Sequence, residues 1–240
     1  MPVSNPRALI LMPLYNEEPT LARVLDEVHR CCPGPDILVV NDGSTDGSPE
    51  ILKRYPDVRV IHHLNNEGYG QSLIDGFRYA IEHGYDVVVT IDCDEQHEPH
   101  LISRFLEEIK NCDIVSGSRY MDPDAPGDPA PPDRRQINEE ITRILRDVTG
   151  HPITDAWCGF KAYRVDALKK LRLTEPSYGM PLQVWVQAAY HGLRVKEIPV
   201  ARIYKNPNRQ FWGGLDDAAT RRAYYLKILD AEVERWRRSS

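Results

Sequence analysis

Residues 86–97 read Asp86-Val87-Val88-Val89-Thr90-Ile91-Asp92-Cys93-Asp94-Glu95-Gln96-His97 and carry the clearest structural signal in the chain. The first six predict a buried strand that ends abruptly in acid. Asp92 and Asp94 leave that strand on the same side, because side chains alternate between the faces of a strand. Two carboxylates held this close repel each other, and a hard divalent cation with oxygen ligands relieves the repulsion.

A cation at the carboxyl end of a parallel strand lies where the ligands of α/β proteins usually bind. Magnesium or manganese held by few carboxylates usually contacts a substrate phosphate as well. The first hypothesis is therefore a metal-assisted phosphate or nucleotide site. The alternative is a solvated acidic loop, and a pattern of two carboxylates does not by itself separate the two.

The bulk composition is that of an ordinary globular protein. The 240 residues are 41% hydrophobic and 28% charged, enough for one large domain with a substantial core. A net charge of −6 gives no global attraction to nucleic acid, so no nucleic-acid partner is expected. The N-terminal residues lack a secretory pattern, and the apolar runs are far shorter than a membrane span. Five cysteines at irregular spacing argue against a disulfide framework and indicate a reducing cytoplasm.

The first half of the chain alternates short apolar runs with helical patterns. Strands are predicted at 9–12, 37–40, 58–61, 86–91 and 113–116. Helices are predicted at 19–28, 70–83 and 99–110. Continuously apolar strands alternating with helices predict an α/β fold with a parallel sheet covered on both faces.

The second half has a less regular pattern. Residues 121–133 contain five prolines and predict a long loop. The remaining predictions are helices at 134–148, 178–191 and 215–237, a strand at 160–164, an extended segment at 193–204 and a loop at 205–214. The last helix carries an apolar stripe flanked by arginines. Such a stripe either packs on its own domain or contacts an anionic membrane or a membrane partner protein.

Three loops leave the carboxyl ends of predicted strands, at 13–18, 41–47 and 92–97. In a doubly wound sheet such loops converge on one crevice. Tyr15 suits stacking on a base, and Glu17 and Asp42 suit hydrogen bonds from a base or ribose. The alternative is that Asp42 belongs to an ordinary turn and that the first loop merely enters the core.

Five ordered motifs extend this interpretation to a family. They are Pro13-Leu14-Tyr15-Asn16-Glu17-Glu18, Val39-Val40-Asn41-Asp42-Gly43-Ser44-Thr45-Asp46-Gly47, Asn65-Asn66-Glu67-Gly68-Tyr69-Gly70, residues 92–97 and Gly117-Ser118-Arg119-Tyr120. Together they resemble family 2 glycosyltransferases with the GT-A fold, in particular dolichyl- or polyprenyl-phosphate mannose and glucose synthases. Motifs at 155–163 and 197–200 extend the resemblance, which covers about residues 8–214.

The resemblance implies a role for each matching position. The nucleoside would be held by Pro13, Tyr15, Glu17, Val40 and Asp42. Asp92 would lie near ribose and metal with the Cys93 backbone beside it, and Asp94 and Gln96 would bind Mn²⁺ or Mg²⁺ directly. The phosphates would be met by Arg119, Arg202 and Arg209. For Arg119 a surface salt bridge is the alternative. For Arg202 and Arg209 a role outside the site is an equal alternative, because the loop at 205–212 is longer than the usual loop of the family.

The expected catalytic residues are Asp94, Arg119 and Asp155. A lipid phosphate acceptor is already an anion and needs little general base, whereas a hydroxyl acceptor needs a positioned carboxylate. Asp155 is the nearest candidate for that base, and its alternative role is to order the adjacent loop. Gln183 stands where phosphate-acceptor relatives usually carry glutamate, which leaves the acceptor open.

The resemblance implies a metal-dependent inverting glycosyltransferase that moves a hexose from GDP-mannose or UDP-glucose to a polyprenyl or dolichyl phosphate. The rival functions are transfer to a soluble hydroxyl acceptor, nucleotide-sugar binding without turnover, and phosphate acceptance by a receiver domain. Residues 1–240 are expected to form one domain, with a nucleotide-sugar half at about 8–120, an acceptor half at about 121–214 and a C-terminal helix at 215–240. The expected location is the cytoplasm, with peripheral contact at the cytoplasmic face of a membrane as an extension.

Two histidine pairs invite a metal interpretation. They are His62-His63 and the pair His97 and His100. Two histidines without a further ligand are usually surface residues, and the chain has no Cys-x-x-Cys pair, so no zinc site is expected from the sequence.

Overall fold

The computed structural model describes residues 6–122, 127–205 and 214–238. The strands within them are β1 (Ala8–Leu14), β2 (Asp36–Asn41), β3 (Arg59–His62), β4 (Val87–Thr90), β5 (Ile114–Ser118), β6 (Lys161–Arg164) and β7 (Val195–Pro199). The α-helices are α1 (Leu21–Cys31), α2 (Ser48–Leu52), α3 (Tyr69–Glu82), α4 (Ile102–Glu108), α5 (Pro132–Thr149), α6 (Val165–Leu168), α7 (Met180–Tyr190) and α8 (Ala218–Arg237). The predicted α/β class is confirmed.

The strands form one mixed, mostly parallel sheet in the order β3-β2-β1-β4-β6-β5-β7. Only β6, among the described strands, runs antiparallel to its neighbours β4 and β5. Its reversal pairs Lys161 with Thr90, so the segment that precedes β6 arrives at the edge where β4 ends. The carboxyl ends of β1 and β2 meet at the same edge, where Leu14 pairs with Asn41.

The sheet is covered on both faces because its central strands are apolar throughout. Ile10 of β1 belongs to a cluster that includes Phe105 of α4 on one face. Its neighbour Leu11 belongs to a cluster on the other face that includes Phe77 of α3. The contact with α3 is close, since a Cβ on Gly76 would lie 2.2 Å from Leu11 Cδ1.

A third apolar cluster joins α5, α7 and α8. The apolar stripe of α8 faces this cluster, and Tyr225, Leu229 and Trp236 are buried in it. The stripe therefore packs on its own chain, as one of the two predicted alternatives requires. Among the helices that the structure describes, none has the length and apolarity needed to cross a membrane.

The differences from the predicted boundaries have local causes. α8 begins at Ala218 rather than at residue 215, because the Asp217 side chain accepts a hydrogen bond from Thr220 N at 2.7 Å and caps the helix. α5 begins at Pro132, inside the predicted loop, since proline is favoured in the first helical turn. The short helices α2 and α6 were not predicted, because four or five residues carry too little periodicity. Most of the predicted loop at 205–214 lies outside the described residues.

Candidate active site

A cavity of about 850 Å³ opens at the edge of the sheet where β1, β2 and β4 end. Most of the predicted site residues line it, namely Pro13, Tyr15, Glu17, Asp42, Asp92, Cys93, Asp94, Gln96 and Arg119. Residues from the three predicted loops thus lie in one site. Three predicted residues that the structure describes do not line the cavity, and these are Val40, Asp155 and Arg202. Arg209 lies outside the described residues.

The first two loops are joined by side-chain hydrogen bonds. Asn16 adopts the left-handed conformation, with φ of 53°, and its Oδ1 accepts a hydrogen bond from Thr45 N at 2.8 Å. The Asn16 N–H donates in return to Ser44 Oγ at 3.0 Å. Tyr15 is left 36% exposed at the cavity wall, so its ring is available to a planar ligand.

Asp42 ties the second loop to the segment that precedes α3. Its carboxylate is 3% exposed and accepts hydrogen bonds from Glu67 N at 2.8 Å and Gly68 N at 2.9 Å. Gly68 has a φ of 110°, and a Cβ there would lie 2.3 Å from Pro176 O, so the position requires glycine. Val40, two residues earlier in the chain, is fully buried in the core. Any contact between Val40 and a nucleoside would therefore have to use its backbone.

The acidic tip of β4 presents oxygen atoms to the cavity. Asp92 Oδ1 accepts a hydrogen bond from the Tyr69 hydroxyl at 3.2 Å, and Asp94 Oδ1 accepts one from Gln96 N at 3.0 Å. The chain turns between them through Glu95, whose φ is 59°. Burial, together with the neighbouring Asp92 carboxylate, raises the pKa of Tyr69 well above its ordinary value, so its hydroxyl stays a hydrogen-bond donor.

These side chains suit a hard divalent cation. Asp92, Asp94 and Gln96 all line the same cavity, and carboxylate and amide oxygens are the ligands that magnesium and manganese prefer. A Cβ on Gly159 would lie 2.6 Å from Asp92 Oδ2, so the backbone of the 155–160 segment approaches the acidic tip as closely as glycine allows. The donor set and the crowding around it fit the predicted metal.

Arg119 and Asp155 form a buried two-point ion pair. Arg119 Nε lies 2.6 Å from Oδ2 and Nη2 lies 2.9 Å from Oδ1. Burial would raise the pKa of the Asp155 carboxyl, but the Arg119 guanidinium and the hydrogen bonds from Arg119 and Asn138 hold that pKa well below its usual value. Asp155 therefore stays ionised and committed to Arg119.

The interpretation of Asp155 as a general base is not supported by this geometry. Its side chain is fully buried and absent from the cavity wall, and Oδ1 also accepts a hydrogen bond from Asn138 Nδ2 at 2.8 Å. A carboxylate with a lowered pKa and both oxygens in use is a poor proton acceptor. The other predicted role, ordering the local structure, agrees with its contacts. The surface salt-bridge alternative for Arg119 is excluded, because its side chain is only 16% exposed and lines the cavity.

Arg202 is placed beside the cavity rather than in its wall. Its Nε donates to Asp128 O at 2.5 Å, and its guanidinium carbon lies 5.8 Å from the Tyr120 ring centroid. Lys205 does line the cavity and lies 3.2 Å from Glu95 Oε2. The basic side of the site thus includes Lys205, which was not predicted.

Gln183 also lies away from the cavity. Its Oε1 accepts hydrogen bonds from Thr174 N and Glu175 N, and its Nε2 donates to Glu232 at 2.9 Å. Gln183 therefore links α7 to α8 and to the preceding loop. Because Gln183 does not line the cavity, its difference from the glutamate expected for a phosphate-acceptor enzyme does not indicate which acceptor binds there.

One part of the cavity wall was missed from the sequence. It combines two arginines with a mainly apolar and aromatic wall, made of Arg134, Arg221, Ile137, Trp157, Tyr178, Met180, Pro181 and Tyr225. These residues come from α5, α7, α8, the loop before α7 and the segment before β6, and only tertiary packing brings them together. The position of Arg134 at the start of a helix, directly after the proline-rich loop, was the one available signal.

Comparisons with known proteins show the family of the chain. The family described as Glycosyl transferase family 2 matches residues 9–172. The undecaprenyl-phosphate mannosyltransferase of Micrococcus luteus is 33% identical over 207 residues, which cover 82% of this chain and 84% of the relative. The polyprenol monophosphomannose synthase of Mycolicibacterium smegmatis is 32% identical, with 81% of this chain and 76% of the relative covered.

Solved structures show the same fold. Glucosyl-3-phosphoglycerate synthase from Mycobacterium tuberculosis, in complex with Mn²⁺, uridine diphosphate and glucosyl-3-phosphoglycerate, superposes with a TM-score of 0.73. The match covers 95% of this chain and 80% of that chain at 18% identity. With this fold, these relatives and the family match, the chain is a glycosyltransferase with a GT-A fold and belongs to glycosyl transferase family 2.

Proposed function

We propose that the protein transfers a hexose from GDP-mannose or UDP-glucose to a polyprenyl or dolichyl phosphate, with inversion at the anomeric carbon and with Mn²⁺ or Mg²⁺. The observation that carries the proposal is the composition of the cavity. Its wall offers the oxygen donors Asp92, Asp94 and Gln96 and, in the same cavity, Arg134 with aromatic and apolar side chains. The names of the two bacterial relatives support the lipid phosphate acceptor.

We assign residues 8–120 to the nucleotide-sugar half and 121–214 to the acceptor half of one domain. In the first half, Tyr15 would stack on the base, and Glu17 would accept hydrogen bonds from base or ribose. Pro13 shapes the wall beside them. Asp42 would contribute mainly by holding the 65–68 segment in place, as its two backbone hydrogen bonds indicate.

The diphosphate would be held at the tip of β4. Asp94 and Gln96 would bind the metal directly, and Asp92 would contact metal and ribose, with Cys93 fixing the backbone between the two carboxylates. When bound, the metal supplies positive charge that stabilises the leaving diphosphate. Tyr69 holds one oxygen of Asp92 and thereby orients its carboxylate.

The leaving group would also be met by arginine. Arg119 is permanently charged and presents a planar set of donors, which suits phosphate oxygens. Its position is set by Asp155, so we assign Asp155 a positioning role and Arg119 a catalytic one. Lys205 is placed to contribute from the cavity wall, and Arg202 and Arg209 are assigned to the same basic side.

The acceptor would bind at the part of the wall that carries Arg134. A lipid phosphate is already ionised and attacks without losing a proton, so the reaction needs no residue in the role first considered for Asp155. Arg134 would hold its phosphate, and the aromatic wall with Trp157, Tyr178 and Tyr225 would contact the first isoprene units. A lipid acceptor also places the reaction at a membrane surface, which we infer to be the cytoplasmic face.

A donor and acceptor panel tests the proposal. The protein is incubated with GDP-mannose or UDP-glucose and manganese, with and without a short polyprenyl phosphate, and nucleoside diphosphate release is measured. Release that requires the lipid phosphate is the expected result. Release that requires a soluble sugar alcohol instead would overturn the acceptor assignment, and donor binding without release under any acceptor would make the protein a binding protein.

A further inference from the structure

We propose a second metal site, for Zn²⁺, formed by His63, Glu67 and Asp75 outside the catalytic cavity. One ligand atom from each residue lies within 4.8 Å of the other two. His63 and Glu67 come from the loop after β3, and Asp75 comes from the middle of α3. None of the three lines the catalytic cavity.

The orientation of His63 supports a metal ligand. Its Nδ1 lies 2.7 Å from Asp42 Oδ1, so Nδ1 carries the proton and donates it to the carboxylate. This arrangement turns Nε2 toward Asp75, where a metal ion would take the place of any proton on Nε2. A histidine that binds zinc usually donates its other ring N–H to a carboxylate in this way, which fixes the tautomer and strengthens the ligand.

The Nε2 atom of His63 has no hydrogen-bond partner among the described residues, although it is buried. The His63 side chain as a whole is only 7% exposed. Nε2 lies 3.3 Å from Asp75 Oδ2. Two ligands bound at about 2.0–2.1 Å on a tetrahedral zinc are about 3.3 Å apart, so His63 and Asp75 already have the separation that a shared ion requires.

The remaining features suit a third ligand and a route in from solvent. Glu67 is exposed, and its flexible side chain can close on an ion that approaches from the surface. Asp75 Oδ2, the oxygen nearest His63 Nε2, also accepts a hydrogen bond from Gln71 Nε2 at 2.8 Å, and Oδ1 accepts one from Arg78 Nη1 at 2.8 Å, so the carboxylate is held in place. An imidazole with two carboxylates favours zinc over magnesium, since magnesium prefers oxygen ligands alone.

The site is coupled to the donor end of the cavity through Asp42. The same carboxylate oxygen that accepts from His63 accepts from Glu67 N, and the other accepts from Gly68 N. An ion on His63 would thus order the 63–68 loop, which overlaps the family motif at 65–70. The expected consequence is a higher melting temperature of the whole chain when zinc is present.

Zinc binding to the full chain tests the proposal. The full-length Asp94→Asn variant is used, so that the predicted catalytic metal site does not compete for zinc. After chelator treatment, ZnCl₂ is titrated into it and binding is measured by calorimetry. We expect one ion per chain. Addition of Glu67→Gln or Asp75→Asn should lower the affinity at least tenfold, because loss of even an outer partner of a zinc ligand costs about 10–100-fold. The matched control is Glu82→Gln, an exposed carboxylate at the end of the same helix.

Two further measurements make the result decisive. Co²⁺ in place of Zn²⁺ should give the strong visible absorption of a site with few ligands, and Glu67→Gln should remove it. Because Glu67 is exposed, Glu67→Gln carries the test even where Asp75→Asn weakens the fold. No zinc uptake would overturn the proposal and leave His63 as an ion-pair partner of Asp42 and Asp75. Zinc uptake that Glu67→Gln does not change would place the ion elsewhere, for example on Cys31 and Cys32, and would overturn the proposal as well.

Discussion

Arg119 and Asp155 are held together by two hydrogen bonds of 2.6 and 2.9 Å, and Asp155 is fully buried. The pair joins the end of β5 to the segment before β6, and so fixes the Arg119 guanidinium in the wall of the cavity that the acidic tip of β4 also lines. Asp155, which the sequence suggested as a base, thereby supports Arg119, the residue for which we propose a contact with phosphate. This relationship gives the first two predictions.

Asp155→Asn should destabilise the protein by about 3–5 kcal/mol, because it leaves the Arg119 charge buried without its partner. The new side-chain amide also presents an N–H donor to Arg119, where the carboxylate presents an oxygen that accepts a hydrogen bond. Urea unfolding at pH 7 measures the loss. Glu107→Gln, which breaks the exposed pair with Lys110, is the control and should leave the free energy of unfolding nearly unchanged. An equally small effect of both substitutions would contradict the assigned role.

The contribution of Asp155 should also depend on pH. Its pKa is lowered in the folded protein, so its stabilisation is present above the unfolded-state pKa of about 3.9 and is lost as the pH falls further. The difference in unfolding free energy between the wild type and Asp155→Asn should be constant from about pH 5 to 7 and shrink below about pH 4. A difference that grows toward acid would show that the sign of the pKa shift is wrong.

Gly159→Ala should reduce kcat/KM at least tenfold. The new Cβ would lie 2.6 Å from Asp92 Oδ2 and 2.9 Å from the Tyr69 hydroxyl, so the carboxylate must move. A displacement of about 1 Å at a catalytic centre can cost about 100-fold in rate. Gly34→Ala, which adds a Cβ in open space, is the matched control. Unchanged kinetics in Gly159→Ala would mean that Asp92 has no part in the reaction.

Arg134→Gln should raise KM for the polyprenyl phosphate at least tenfold and leave KM for the nucleotide sugar unchanged. A hydrogen bond to a charged group contributes about 1.5–3 kcal/mol, and only the acceptor would lose one. Arg143→Gln changes an exposed arginine of the same helix, which pairs with Asp147, and serves as the control. An equal rise in both KM values would place Arg134 at the donor instead.

The features that could be predicted from the sequence are the local ones. Apolar runs fixed the positions of the strands, and loops at the ends of β1, β2 and β4 must share an edge once those strands are parallel. For this reason Tyr15, Asp42 and Asp94 could be expected in one cavity from the sequence alone. The reversal of β6 was not predicted, because four residues carry no sign of strand direction.

The features that could not be predicted depend on contacts between distant segments. Asp155 has the same carboxylate whether it serves as a base or a support, and only the position of Arg119 decides between them. Gln183 lies next to the cavity-lining residues of α7 in sequence, yet it faces Glu232. His63 was set aside for lack of further ligands, because the fold had to bring Asp75 to it from α3.

The most direct test compares nucleoside diphosphate binding by the wild type and by Asp94→Ala in calorimetry, with and without manganese. Asp166→Asn, an exposed carboxylate with 88% of its side chain accessible, is the control. The wild type and the control should bind GDP or UDP more tightly when manganese is present, and Asp94→Ala should show no such gain while its melting temperature is unchanged. Manganese-dependent binding that persists in Asp94→Ala would contradict the metal site at the tip of β4 and the mechanism built on it.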